Sequence, residues 1–186
     1  MSNSNPIFFR PSKHSGWRLT DDAKPLHLPW RWPLERLADR EPMLIETHRR
    51  DDRITLELGY EPRFYDLDLF VPVAAAQDGE VVLAGEAASG FMITIDHGYR
   101  EWATHYTHLS RMFVAPYLGQ KKKRRQRVRA GEVIGYAAKT PIRMRFELWN
   151  WTDTNGFVPV DPLETMTSWG VKKLRAATAN DRKEAA

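Results

Sequence analysis

The sequence predicts a mainly β protein, an antiparallel β-sandwich of short strands. Two observations carry that expectation: several stretches alternate apolar and polar residues with period two, and glycines separate them at turn-like intervals. Residues 1–29 are polar, with scattered proline and tryptophan, and read as an extended arm over the body. The denser part starts at Trp30-Arg-Trp-Pro-Leu34, and Leu34 and Leu37, three apart, suggest a short helix through Asp39. Ile54-Thr-Leu-Glu-Leu58 then alternates as a half-buried strand does, followed by Glu80-Val-Val-Leu-Ala84, Phe91-Met-Ile-Thr-Ile95 and Met144-Arg-Phe-Glu-Leu148. Gly79, Gly85, Gly90, Gly98, Gly131 and Gly135 punctuate these runs. Ser168 to Arg175 suggests a second short helix, and Ala176 to Ala186 a polar tail.

A chain of 186 residues with 42% hydrophobic and 11% aromatic content can bury a real core, and suggests one domain with an elaborated N-terminus. No apolar run reaches the length of a membrane-spanning helix. The opening residues, Met1 to Arg10, lack the basic-then-apolar pattern of a secretory leader, so none is expected from them. With no cysteine, disulfides and thiolate metal sites are excluded. The formal charge is only +4, yet Lys121-Lys-Lys-Arg-Arg-Gln-Arg-Val-Arg129 places seven cations in nine residues. Such a run repels itself and predicts a solvated loop, or one that meets an anionic polymer or membrane surface. No aromatic is interleaved and no nucleic-acid-reading motif accompanies it, so specific nucleic-acid recognition is not expected.

Short motifs between residues 30 and 166 follow one another in a recognisable order. Leu58-Gly-Tyr60, Ala74-Ala-Ala-Gln-Asp-Gly-Glu-Val-Val82, Ile93-Thr-Ile-Asp-His-Gly98, Thr104-His-Tyr-Thr-His-Leu-Ser110, Val128-Arg-Ala-Gly-Glu-Val-Ile-Gly135 and Val160-Asp-Pro162 all take part. Together they resemble the LytM-type M23 peptidases, zinc endopeptidases that cut the peptide bridges of bacterial peptidoglycan. The resemblance implies an antiparallel sandwich with an open groove over 30–166, preceded by the arm and followed by a C-terminal helix and tail over 167–186. It also makes Lys121, Lys122, Lys123, Arg124, Arg125 and Arg127 a basic insertion in a loop, a docking element for an anionic surface.

The metal-binding pattern of that family is not reproduced. Members hold zinc with the His and Asp of His-x-Gly-x-Asp and the second His of His-x-His. Here Phe64 stands at the first His and Asp68 at the Asp; a register using Asp66 puts Pro62 at the His, so neither register supplies one. Arg145 takes the remaining ligand position, Arg143 that of the water-activating His, and His108 matches the other catalytic His. Arginine has no lone pair to offer and stays protonated, so the resemblance implies neither zinc nor another cofactor. On a strand, Arg143, Arg145 and Glu147 share one face, while Met144, Phe146 and Leu148 share the other. The expected groove is therefore Phe64, Asp68, His108, Arg143, Arg145 and Glu147, with Arg145 paired to Asp68 or Glu147 and Arg143 open to a carboxylate.

The other histidines read differently. His97 in Asp-His-Gly is expected at a turn or in packing; His105 and His108, three apart on a strand, should point to opposite faces; and His14, His27 and His48 should lie in or near the arm. The function expected is a non-catalytic M23-like domain, a binding, regulatory or scaffold module in cell-wall processes. Its partner would be peptidoglycan, a wall hydrolase or another envelope protein. The alternative is an unconventional zinc endopeptidase with displaced ligands. The resemblance points to the bacterial cell envelope; a cytoplasmic place, a phage or secretion-system component, or a given start that is not the native one would each fit an opening in which no leader is visible. A third reading, a biotinyl or lipoyl carrier built on the repeated Gly-Glu-Val hairpins at Gly79 and Gly131, fails because no lysine lies between Asp78 and Gln120.

Overall fold

In the computed structural model of the chain, residues 30–35, 37, 40–50, 52–60, 70–98, 102–119, 125–139, 142–152 and 155–177 are described. The expected arm with His14 and His27 lies outside them. So do Pro62, Phe64, Asp66 and Asp68, the cations Lys121, Lys122, Lys123 and Arg124, and the tail beyond 177.

The described strands are β1 (Met43–Arg50), β2 (Arg53–Gly59), β3 (Pro72–Ala74), β4 (Gly79–Ala87), β5 (Gly90–Asp96), β6 (Trp102–Met112), β7 (Arg127–Val128), β8 (Val133–Lys139), β9 (Ile142–Thr152), β10 (Gly156–Val160) and β11 (Arg175–Ala176). One helix, α1 (Pro162–Ser168), accompanies them. The strands join in one sheet in the order β11-β1-β2-β9-β8-β6-β5-β4-β7, with β10 on β9, β3 on β8 and a further β6–β9 pairing. The pairings are antiparallel except β1 with β11. The fold is thus mainly β, an open antiparallel sheet.

Alternation decides which residues meet inside. Leu56 and Leu58 of β2, Ile93 and Ile95 of β5, Tyr106 and Leu109 of β6, and Met144, Phe146 and Leu148 of β9 join one buried cluster with Val81, Ile134 and Ala137. Strands far apart in the sheet order contribute to it, so the sheet curls about a common core, as a two-layer β fold does. Gly135 marks a close approach: a Cβ there would lie 2.4 Å from the Arg111 carbonyl oxygen on β6.

Both short helices expected at the ends are corrected. Leu37 and Arg40 pair as an isolated antiparallel bridge, exchanging backbone hydrogen bonds of 2.9 and 3.0 Å. A six-residue helix between Pro33 and Pro42 has too few intrahelical bonds to offset its nucleation cost. At the other end the helix precedes the expected stretch and stops at Ser168. Asp161 caps it by accepting from the Leu163 and Glu164 N–H groups, and Pro162 fits the first turn. Gly170, with φ 84°, turns the chain away. Trp169 and Leu174 beyond it still pack against the main core, and Trp32 Nε1 donates to the Lys172 carbonyl at 2.8 Å.

Candidate functional site

Three strands build one polar surface. β9 lies between β2 and β6, and the register sets Thr55, Glu147 and His105 in one row, and Glu57, Arg145 and Thr107 in the next. Gly59, Arg143 and Ala138 form a third row. These residues face away from the core, since their neighbours Leu56, Leu58, Met144, Phe146 and Tyr106 are all buried in it. β1 extends the surface, with Glu46 opposite Glu57, His48 opposite Thr55 and Arg50 opposite Arg53.

Glu57 organises the centre. Arg143 Nη1 donates to Glu57 Oε1 at 2.7 Å, Arg145 Nε lies 3.6 Å from Oε2, and His48 Nε2 lies 3.4 Å from Oε2. Gly59 opposite Arg143 leaves room for that guanidinium to reach diagonally across the pair. Burial alone would raise the Glu57 carboxyl pKa. The hydrogen bonds from Arg143 and His48 and the charges of both arginines together outweigh it, leaving the pKa below the ordinary carboxylate value. Arg145 is therefore paired with Glu57 rather than Glu147, and the Arg143 fork expected to be open is engaged. Glu147 is satisfied elsewhere: Thr55 Oγ1 donates to it at 2.7 Å and Trp149 Nε1 at 3.1 Å.

His105 and His108 line the same cleft, contrary to strict alternation. β6 carries one extra residue opposite Phe91–Ile93, and His108 takes φ 59° there. A bulge of this kind re-aims a side chain. His108 Nδ1 lies 3.5 Å from Ser89 Oγ and 3.4 Å from Thr107 Oγ1. Burial lowers its pKa, helped by Arg145 and opposed by Glu57. His105 bonds Thr94 Oγ1 through Nδ1 at 2.7 Å, and burial lowers its pKa too, against the pull of Glu147. The cleft encloses about 260 Å³ among His48, Arg50, Arg53, Thr55, Ser89, His105, Thr107, His108, Arg145 and Glu147.

The residue missed from sequence is thus Glu57. Glu57 was legible as a carboxylate on the polar side of an alternating strand; only strand register places it beside Arg143 and Arg145. His48 belongs to β1, not to the arm. The basic run also differs from expectation where it is described. The Arg125 side chain is only 8% exposed, 3.6 Å from Glu80, and Arg127 reaches the same carboxylate at 3.8 Å. Glu80 offsets the self-repulsion that predicted full solvation.

The model for Peptidase family M23 matches residues 67–162, more than half of the 186-residue chain. The chain belongs to peptidase family M23. Among solved structures, this M23 chain is similar to one described as a peptidase M23 from Pseudomonas aeruginosa, at 20% identity over 77% of this chain and 53% of that one, TM-score 0.50. It is also similar to the antimicrobial peptidase lysostaphin from Staphylococcus simulans, at 22% identity over 62% and 43%, TM-score 0.45. A third is the SpoIIQ–SpoIIIAH pore-forming complex, at 15% identity over 84% and 97%, TM-score 0.48. At these identities the likeness concerns fold, and the chain spans about half the length of the first two.

A zinc ion does not fit the two arginine positions of this M23 chain. Arg143 and Arg145 offer only donors, and their charges are directed at Glu57. Among the described residues, no three His, Asp or Glu side chains converge as a metal site, and none of the described helices is long and apolar enough to cross a membrane.

Proposed function

We propose that this chain is a non-catalytic M23 domain that works in bacterial cell-wall processes by binding, with peptidoglycan itself as the ligand at the β2–β9–β6 surface. The single observation that carries the reading is the Glu57–Arg143–Arg145 cluster. It puts a net-positive ion cluster, with no lone-pair donor for a metal on either arginine, where the family's His-x-His stands. A hydrolase of this type needs three ligands and an open coordination position to lower the pKa of a bound water. Two guanidiniums at that point repel a divalent cation instead. Membership of peptidase family M23 supports a cell-wall setting without fixing an activity. The groove residues proposed to meet the ligand are His108, Arg145 and Glu147, together with Asp68 and Phe64 of the segment that precedes β3. Arg127, whose side chain is exposed, and the cations at 121–124 are proposed as a second contact for an anionic surface.

Co-sedimentation with purified, insoluble peptidoglycan in excess chelator tests this reading. Binding that persists without metal, with no release of soluble fragments over a long incubation, is expected. Zinc-dependent release of fragments would instead establish the alternative, an endopeptidase with displaced ligands.

A further inference from the structure

The cleft beside the Glu57 cluster is richer in cations than in anions. Arg50, Arg53 and Arg145 line it together with His48, His105 and His108, and Glu147 is the one carboxylate among the described lining residues. Both Glu147 oxygens already accept hydrogen bonds, from Thr55 and Trp149. Arg53 is held by Asp52, with bonds of 3.3 and 3.0 Å. Arg50 stands directly opposite Arg53 across the hairpin, a like-charge pair that disfavours the strand pairing on its own; it is exposed, and Asp52 is the carboxylate its charge acts on among the described residues. Arg145 approaches Glu57 through Nε at 3.6 Å, and its side chain is 39% exposed. The strands thus hold two guanidiniums that reach solvent around a cavity of about 260 Å³.

We infer that this cleft binds the free carboxylate of a peptide, gripped by Arg145 and Arg50 with Ser89 and Thr107 as hydroxyl donors. The inference rests on the peptidoglycan-binding reading and names the chemical group that the site selects. Geometry favours a carboxylate over a phosphate. Phosphate sites commonly use converging backbone N–H groups at a helix N-terminus or in a nest. Here β2, β6 and β9 spend backbone groups on the ladder, so no such cradle is on offer; the guanidinium forks match a carboxylate's two oxygens and a phosphate alike, and it is the missing cradle that favours the carboxylate.

Calorimetric titration of the full chain with N-acetyl-alanyl-alanine, with its C-terminal amide and with inorganic phosphate tests the inference. The free acid should bind about tenfold more tightly than the amide, the scale of one charge-assisted hydrogen bond. Arg145→Gln and Arg50→Gln should each remove that preference and leave the melting temperature near the parent value. Should Arg145→Gln fail to fold, Arg50→Gln, at an exposed position, still decides. Equal binding of acid and amide would overturn the carboxylate inference while leaving a peptide-binding groove in place. Phosphate binding as tight as the acid, or variants that bind the acid as the parent does, would also overturn it. Acid binding by a chain that ignores intact peptidoglycan would instead overturn the broader reading and leave the carboxylate site standing.

Discussion

On the inner face of β6, Thr104 and Tyr106 belong to a neutral chain of hydrogen bonds; on its outer face, His105 and Thr107 stand beside a charged cluster. The inner chain uses each group once. His97 Nδ1 meets the Asp78 carbonyl at 2.8 Å and must donate, so Nε2 accepts the Thr104 hydroxyl proton at 2.8 Å. The Tyr106 hydroxyl, 3.0 Å from Thr104 Oγ1, then donates to Thr104 and accepts the Ala76 N–H at 2.8 Å. Burial pushes the His97 pKa down to about 4 and the Tyr106 hydroxyl up to about 12, so both stay neutral. The outer cluster keeps net positive charge and guanidiniums that reach solvent. A closed neutral network fixes a fold; an open charged one is available to a ligand.

Breaking the inner chain should cost most. His97→Ala strands the Thr104 hydroxyl and the Asp78 carbonyl and leaves a cavity; it should lose about 3 kcal/mol in urea unfolding. His97 and Glu57 also titrate over different ranges. The folded pKa of His97 lies below its ordinary 6.5, so its contribution is complete above pH 6.5 and is lost as pH falls toward 4. Stability should fall by about 2 kcal/mol between pH 7 and 5, with His105 and His108 adding in the same direction. Glu57 acts lower: its pKa is depressed, so its share persists down to its ordinary value of 4.5 and disappears beneath that. Unfolding midpoints measured across both windows should show two distinct losses.

A smaller effect is expected from Glu57→Gln, which leaves Arg143 and Arg145 facing each other without an anion. Both guanidiniums are partly solvated, so the loss should be about 1.5 kcal/mol, read as a shift in the denaturation midpoint. Smaller still is Asp161→Ala, which removes the cap of α1 and the ion pair with Arg49. Thermal unfolding should register about 1 kcal/mol. A Glu57→Gln loss larger than that of His97→Ala would invert the comparison, making the outer cluster the structural one.

Much of this was legible in the sequence. The alternation in Arg143 to Leu148 assigns Met144, Phe146 and Leu148 to the core and the two arginines to the other face, because a strand allows no other arrangement. Ordered motifs identified the fold. Long-range register was not legible: nothing in Ile54-Thr-Leu-Glu-Leu58 states that Glu57 will stand beside Arg145. The bulge at His108 was equally hidden, since a non-glycine residue at positive φ leaves no compositional mark. The C-terminal helix begins earlier than expected because Asp161-Pro162, one of the motifs of the resemblance, is also a cap followed by a first-turn proline.

The non-catalytic reading proposes that the arginines and Glu57 stand in place of a metal site. Elemental analysis of the purified protein after zinc loading and desalting tests it most directly. Less than about a tenth of an equivalent is expected from a site with too few donors to hold zinc. Retention of about one equivalent, abolished by His48→Ala or His108→Ala, would contradict the account and make the cleft a metal centre with displaced ligands.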